Sequence, residues 1–207
     1  PEKPIAVVVL RKKAEAANAK DMLIEKTLTL HAAIARLQAD YAVSNTGATP
    51  QINRLWVANV LRPDGPRSEK LTYFSPSPEG VVTTPFDPES EEGANVWIEP
   101  QRDWRAVIGQ SGAGAAATAY SRYLESFYSC FSGRKNGSQY PTFEWLFQSF
   151  QYNPLNPPEG AVSMGKPFNA RFVFLPFSGL KAVHGANEFV VGEIDPDPAT
   201  GRVVVRL

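Results

Sequence analysis

The chain has 207 residues, 43% of them hydrophobic and 11% aromatic, with 21 basic and 21 acidic side chains that leave no net formal charge. That length suits one sizeable domain with a core of its own, and the neutral balance excludes a global field that would draw the protein onto nucleic acid or an anionic membrane. A single cysteine, Cys130, excludes an intrachain disulfide, and with no apolar run long enough to span a bilayer and no visible secretory leader, a soluble chain of unspecified compartment is expected.

Behind the apolar lead at residues 5–10, Leu23, Thr27, Leu30, Ile34, Leu37 and Tyr41 alternate spacings of four and three. This is the a/d seam of a heptad pattern. With alanines 14, 16, 17 and 19 upstream and charges on the other faces, the spacing predicts a long helix over 12–42, packed through Leu23, Leu30, Ile34 and Leu37. The stretch SNTGATPQ (44–51) ends it. INRLWVANVLR, the turn PDGPRS and EKLTYF then read as a hairpin rich in strand formers.

From 75 to 100 prolines recur at 76, 78, 85, 88 and 100. Proline cannot donate to a sheet ladder, so the pattern predicts an extended arm. Charge is uneven here: nine acids face three bases between Asp64 and Asp103, while Arg11-Lys12-Lys13 and Arg134-Lys135 form small basic clusters. Opposed patches of this kind suit contacts between protein subunits.

Residues 107–120, VIGQSGAGAAATAY, place Gly109 and Gly114 at the spacing of a phosphate-binding loop, but Ala115 and Ala116 stand where the lysine and hydroxyl belong. Without them neither the β/γ-phosphate charge nor the metal is held, which excludes a nucleotide-hydrolysing loop. The expected element is a helix over 111–131, capped by Ser111, with Gly112, Gly114 and Ala115 allowing close approach of a neighbouring backbone. A third helix is expected from Pro141 to just before Asn153, followed by a second proline-rich arm over 153–168. ARFVFLPF, the loop GLKAVHGAN and a hairpin, EFVVGEI-DPDPATG-RVVVRL, close the chain.

Chemistry-bearing constellations are sparse. His31 and His184 are the only histidines, too few for a three-histidine metal site. The acidic run DPESEE (87–92) lacks the glycine turn of a calcium loop. Asp195 and Asp197 sit in a turn, where aspartate bonds its own backbone. Cys130, within SFYSCF, reads as a buried structural thiol. Aromatic and proline residues remain as candidate interface groups: Trp56, Trp97, Trp104, Pro76, Pro78, Pro85, Phe86 and Pro88.

The pattern predicts a single α+β domain over 1–207: a long N-terminal helix, an antiparallel sheet of hairpins, two further helices and two extended arms (75–100 and 153–168). The function expected from it is a non-catalytic assembly subunit of a shell, tube, filament such as a virion coat, or secretion-type complex. Its partners would be copies of itself or other protein subunits, with no enzyme activity, cofactor or metal and no membrane insertion; nucleic acid would enter only within an assembly. The alternative is a small-ligand-binding α+β module with an aromatic-lined pocket.

Overall fold

The computed structural model describes residues 4–15, 20–31, 35–48, 51–52, 56–61, 63–65, 71–86, 104–120, 126–132, 142–148, 161–162 and 168–207. Its strands in chain order are β1 (Pro4–Lys13), β2 (Met22–His31), β3 (Arg36–Asn45), β4 (Gln51–Ile52), β5 (Trp56–Leu61), β6 (Leu71–Ser77), β7 (Gly80–Phe86) and β8 (Trp104–Gly109). The second half supplies β9 (Ala113–Tyr120), β10 (Ser126–Ser132), β11 (Thr142–Gln148), β12 (Ala161–Val162), β13 (Phe168–Ser178), β14 (Gly185–Ala186), β15 (Val191–Asp197) and β16 (Arg202–Arg206). Eight of these form one sheet in the order β1-β2-β3-β13-β9-β8-β6-β7; the other sheets are β10-β11-β5, β12-β4 and β14-β15-β16. Among the described residues there is no α-helix. The fold is therefore nearly all β, and the α+β expectation is corrected.

Two compact units divide the chain: Pro1–Trp56 with Ala119–Ser126 and Gln148–Val173, and Val57–Thr118 with Phe127–Phe147 and Phe174–Leu207. In the first, the long helix expected over 12–42 is replaced by the antiparallel meander β1-β2-β3. The reason lies in a second periodicity. Ile24, Lys26, Leu28 and Leu30 alternate with Glu25, Thr27 and Thr29, which is the period-two pattern of a strand with one apolar and one polar side. Threonine and isoleucine favour the pleated backbone. Along β3 the same alternation buries Ala39, Tyr41, Val43 and Asn45 and leaves Asp40, Ala42 and Ser44 half-buried. Leu30 and Leu37 face each other across the hairpin, 41% and 37% exposed. They are not a buried seam; Leu23 is half-buried opposite Ser44, and Ile34 lies outside the described residues. Tyr41 packs edge-on against Phe172 of β13, ring centroids 5.6 Å apart, and so ties β3 to β13 from the buried side.

In the second unit, β8 is buried along its whole length. Its core includes Phe74, Val107, Ala117 and Val183, all at 2% exposure or less. The alanine run read as a helix is β9, paired rung by rung with β8 from Trp104↔Thr118 to Ile108↔Gly114. A hairpin turn joins them: the Gly112 N–H donates to the Gly109 carbonyl at 3.1 Å, and Gly112 has φ +79°, a conformation that side chains disfavour. Small residues on β9 stand opposite larger ones on β8, and the Phe177 ring covers the α-carbon of Gly114. The last part of the helix expected over 111–131 is strand β10, and the third expected helix is strand β11. In β11 aromatics recur at every second position (Phe143, Trp145, Phe147), a strand pattern.

The arm expected from residue 75 begins instead as half of a hairpin, β6 with β7, from Leu71↔Phe86 to Ser77↔Gly80. Proline is tolerated for topological reasons. Pro85 lies in β7, at the sheet's edge, and the β6–β8 ladder ends at Phe74↔Ala106, before Pro76 is reached. Residues 87–103 lie outside the described residues. Of the second arm, residues 161–162 are strand β12 and 168 begins β13. The hairpin expected between residues 52 and 74 does not form, because β5 and β6 belong to different sheets.

Candidate functional site

The half-buried side of β2, β3 and the first half of β13 forms an open groove of about 440 Å³ in the first unit. Strand register decides what lines it. Thr27 stands opposite Asp40 and Glu25 opposite Ala42, so these residues share one face, and Asn169 and Arg171 complete the lining from β13. Two arginine–carboxylate pairs hold the acids. The Arg171 Nε donates to Asp40 Oδ1 at 2.6 Å, and the Arg11 Nε donates to Glu25 Oε2 at 2.5 Å across the β1–β2 rung that pairs them. Gln38 Nε2 donates to the second Asp40 oxygen, also at 2.6 Å.

These pairs are partly solvated, with Arg171 48% and Asp40 33% exposed at their side chains. Exposed ion pairs add little to stability; their effect here is to fix carboxylate orientation. Asp40 accepts one N–H at each oxygen and retains a further lone pair on each. Arg171 is held through Nε, and among the described residues its terminal nitrogens have no other hydrogen-bond partner. The groove therefore presents acceptors (Asp40, Glu25), donors (Arg171) and groups of both kinds (Thr27, Asn169); Tyr41 lies along it in β3, but its ring is on the opposite, buried side of the sheet. On the other side of the sheet, the Lys26 ammonium lies 5.1 Å from the Tyr41 ring centroid, closing that ring's flank. Among the described residues no group of three His, Cys, Asp or Glu is placed to hold a metal ion, and no helix is long and apolar enough to cross a membrane.

Of the residues singled out from sequence, only Thr27 and Tyr41 lie along this groove, and both were read as seam positions of a helix. Trp104 is buried in β8, Pro76 is buried in β6, Pro78 is exposed in the β6–β7 turn, and Pro85 is exposed on β7. Phe86 ends β7 and Trp56 begins β5; Trp97 and Pro88 lie outside the described residues. Ala115 stands opposite Val107. The turn between Gly109 and Gly114 is organised by Asp64, whose Oδ1 accepts from the Ser111 hydroxyl and, at 3.3 Å, from the Ser111 N–H. Asp64 fills the space a side chain at Gly109 would need. Glu25 and Asp40 were missed because the heptad reading left them off its seam, and Thr27 was read as a seam position; the Glu25-Thr27-Thr29 alternation was the signal that puts Glu25 and Thr27 on one face.

No protein-family model matches the chain, and no curated protein is significantly similar to it. Solved structures do match. A TPR-domain-containing protein of Parabacteroides distasonis superposes with a TM-score of 0.53 at 11% identity, over 95% of this chain and 36% of that one. A candidate aldose 1-epimerase of Escherichia coli K12 gives 0.48 at 12% identity, over 83% of this chain and 65% of that one. An α-N-acetylgalactosaminidase of Bifidobacterium bifidum gives 0.48 at 9% identity, over 84% and 28%. The chain thus spans about two thirds or less of each of these proteins. At these identities the likeness is one of fold alone. The assembly-subunit expectation is corrected on the structure itself: its helical seam is a β-meander, and residues 75–86, expected as a free arm, belong to a paired hairpin.

Proposed function

We propose that the chain is a small-ligand-binding β module whose groove on β2, β3 and β13 takes a neutral polyhydroxylated molecule, chemically a saccharide. The observation that carries this reading is Asp40, oriented by Arg171 and Gln38 and facing Thr27 across the strand pair. A carboxylate with a lone pair open on each oxygen accepts from two adjacent hydroxyls, and a neighbouring guanidinium donates to a ring or hydroxyl oxygen. The acids are matched by arginines, Glu25 by Arg11 and Asp40 by Arg171, so a charged ligand gains no net attraction there. A polar lining replaces the aromatic-lined pocket expected from sequence.

A second reading, carbohydrate processing, is favoured by one observation: Glu25 and Asp40 lie diagonally across the β2–β3 pair. Such positions are about 7–8 Å apart at the backbone, with both side chains on one face, so the two carboxylates can approach a single bound molecule. Binding is preferred because both acids are already engaged by arginines and the described lining offers no histidine or cysteine. Isothermal titration with a panel of neutral monosaccharides tests the proposal. Asp40→Ala should weaken any saccharide bound by at least tenfold, about 1.4 kcal/mol. Equal affinity in Asp40→Ala and the unaltered chain would refute it; turnover of a bound sugar, followed by NMR, would select the second reading.

A further inference from the structure

In the second unit, Arg105 is the second residue of β8, with only 2% of its surface exposed. Its Nη1 donates to the Trp104 carbonyl at 2.8 Å. The rest of the guanidinium is unused: Nε and Nη2 are buried and, among the described residues, have no hydrogen-bond partner. These are the two donors that lie side by side on one edge of the group. Their parallel N–H bonds match the two oxygens of a carboxylate or phosphate, the arrangement that makes arginine–oxyanion pairing bidentate.

The surroundings sharpen the point. Arg105 stands opposite Ala117, which offers no polar atom in its side chain. Ser75 is buried as well and follows the Phe74↔Ala106 rung on the neighbouring strand. Burial lowers the Arg105 pKa to about 10, so the group still carries its charge at neutral pH. A buried charge with an unused donor pair is a costly arrangement that a bound counter-ion relieves.

We propose that the Nε–Nη2 edge of Arg105 is a binding site for a small oxyanion, a carboxylate or phosphate group docked side-on within the second unit. It is independent of the saccharide groove, which lies in the first unit. Mass action then requires such an anion to stabilise the folded chain.

The test is thermal unfolding of the whole chain with sodium acetate and, separately, sodium phosphate, each against sodium chloride at matched ionic strength. The melting temperature should rise with acetate or phosphate beyond the chloride control, and the more effective anion identifies the oxyanion class. In Arg105→Met that excess should vanish. Arg105→Lys retains the charge but loses the fork, and should lose most of the excess too; it serves if the methionine variant does not fold. Equal rises in acetate, phosphate and chloride for the unaltered chain would overturn the proposal, as would an excess that survives in a folded variant. An unaltered chain indifferent to all three salts would overturn it as well, because the fork would then be satisfied from within.

Discussion

Gly114 offers the sharpest test of the packing between β9 and β13. A methyl group built there would lie 2.3 Å from the Phe177 Cζ and 2.9 Å from the Val107 carbonyl oxygen. Comfortable carbon contacts are about 3.5–4.0 Å, so both neighbours would have to move. The phenylalanine can swing its ring tip; the carbonyl cannot easily follow, because Val107 is locked in the β8–β9 ladder opposite Ala115. Overpacking of this kind costs about 1–3 kcal/mol. The alanine's less flexible unfolded chain returns about 0.4–1 kcal/mol. Gly114→Ala should therefore destabilise by roughly 1–2 kcal/mol, a melting temperature lower by about 2–8 °C for a chain of this size. Thermal and urea unfolding followed by circular dichroism would measure it. Phe177→Leu supplies the internal control: with the ring gone, the cost of Gly114→Ala should shrink by about 0.5 kcal/mol or more. A variant as stable as the parent, or an equal cost in both backgrounds, would refute the proposed ring-over-glycine packing.

Leu30 and Phe74 should part company. Leu30→Ala, on a solvent-facing rung, should cost under about 1 kcal/mol, while Phe74→Ala, 2% exposed, should cost about 3–5 kcal/mol in the same urea titration; similar values would contradict the burial pattern. The final hairpin predicts a pH effect. The Thr200 hydroxyl, then the Ala199 N–H, bond the Asp197 carboxylate and hold its pKa below the usual aspartate value. Because the folded value is depressed, the hairpin's gain is present at neutral pH and is lost as pH falls through that depressed value. Carbon-detected NMR should place the Asp197 midpoint below that of an ordinary aspartate and show it rising in Thr200→Ala; an ordinary midpoint unaffected by that substitution would count against the turn geometry.

Which parts of the fold were legible depends on which periodicity a segment carries. The closing hairpin was readable because strand formers flank a turn rich in aspartate, proline and glycine, and Glu193↔Arg206 through Asp197↔Arg202 do pair. Residues 12–42 were misread because leucines spaced by four and three coexist with the alternation of Glu25, Thr27 and Thr29. Periodicity alone does not separate a short amphipathic strand pair from a helix. The alanines of β9 misled for another reason. Helix propensity is a weak prior, and here the left-handed Gly112 turn and the large residues of β8 override it. The groove was illegible because it needs register: Glu25, Asp40 and Arg171 come from three strands, and Arg171 lies 131 residues from its partner.

The central claim is that the Asp40 groove binds a neutral saccharide. Amide chemical-shift mapping of the isotopically labelled chain during titration with neutral monosaccharides tests it most directly. Saturable shifts should concentrate at Thr27, Asp40, Ala42, Asn169 and Arg171, and should disappear in Asp40→Ala. Shifts absent throughout the panel, or confined to residues away from β2, β3 and β13, would contradict the claim.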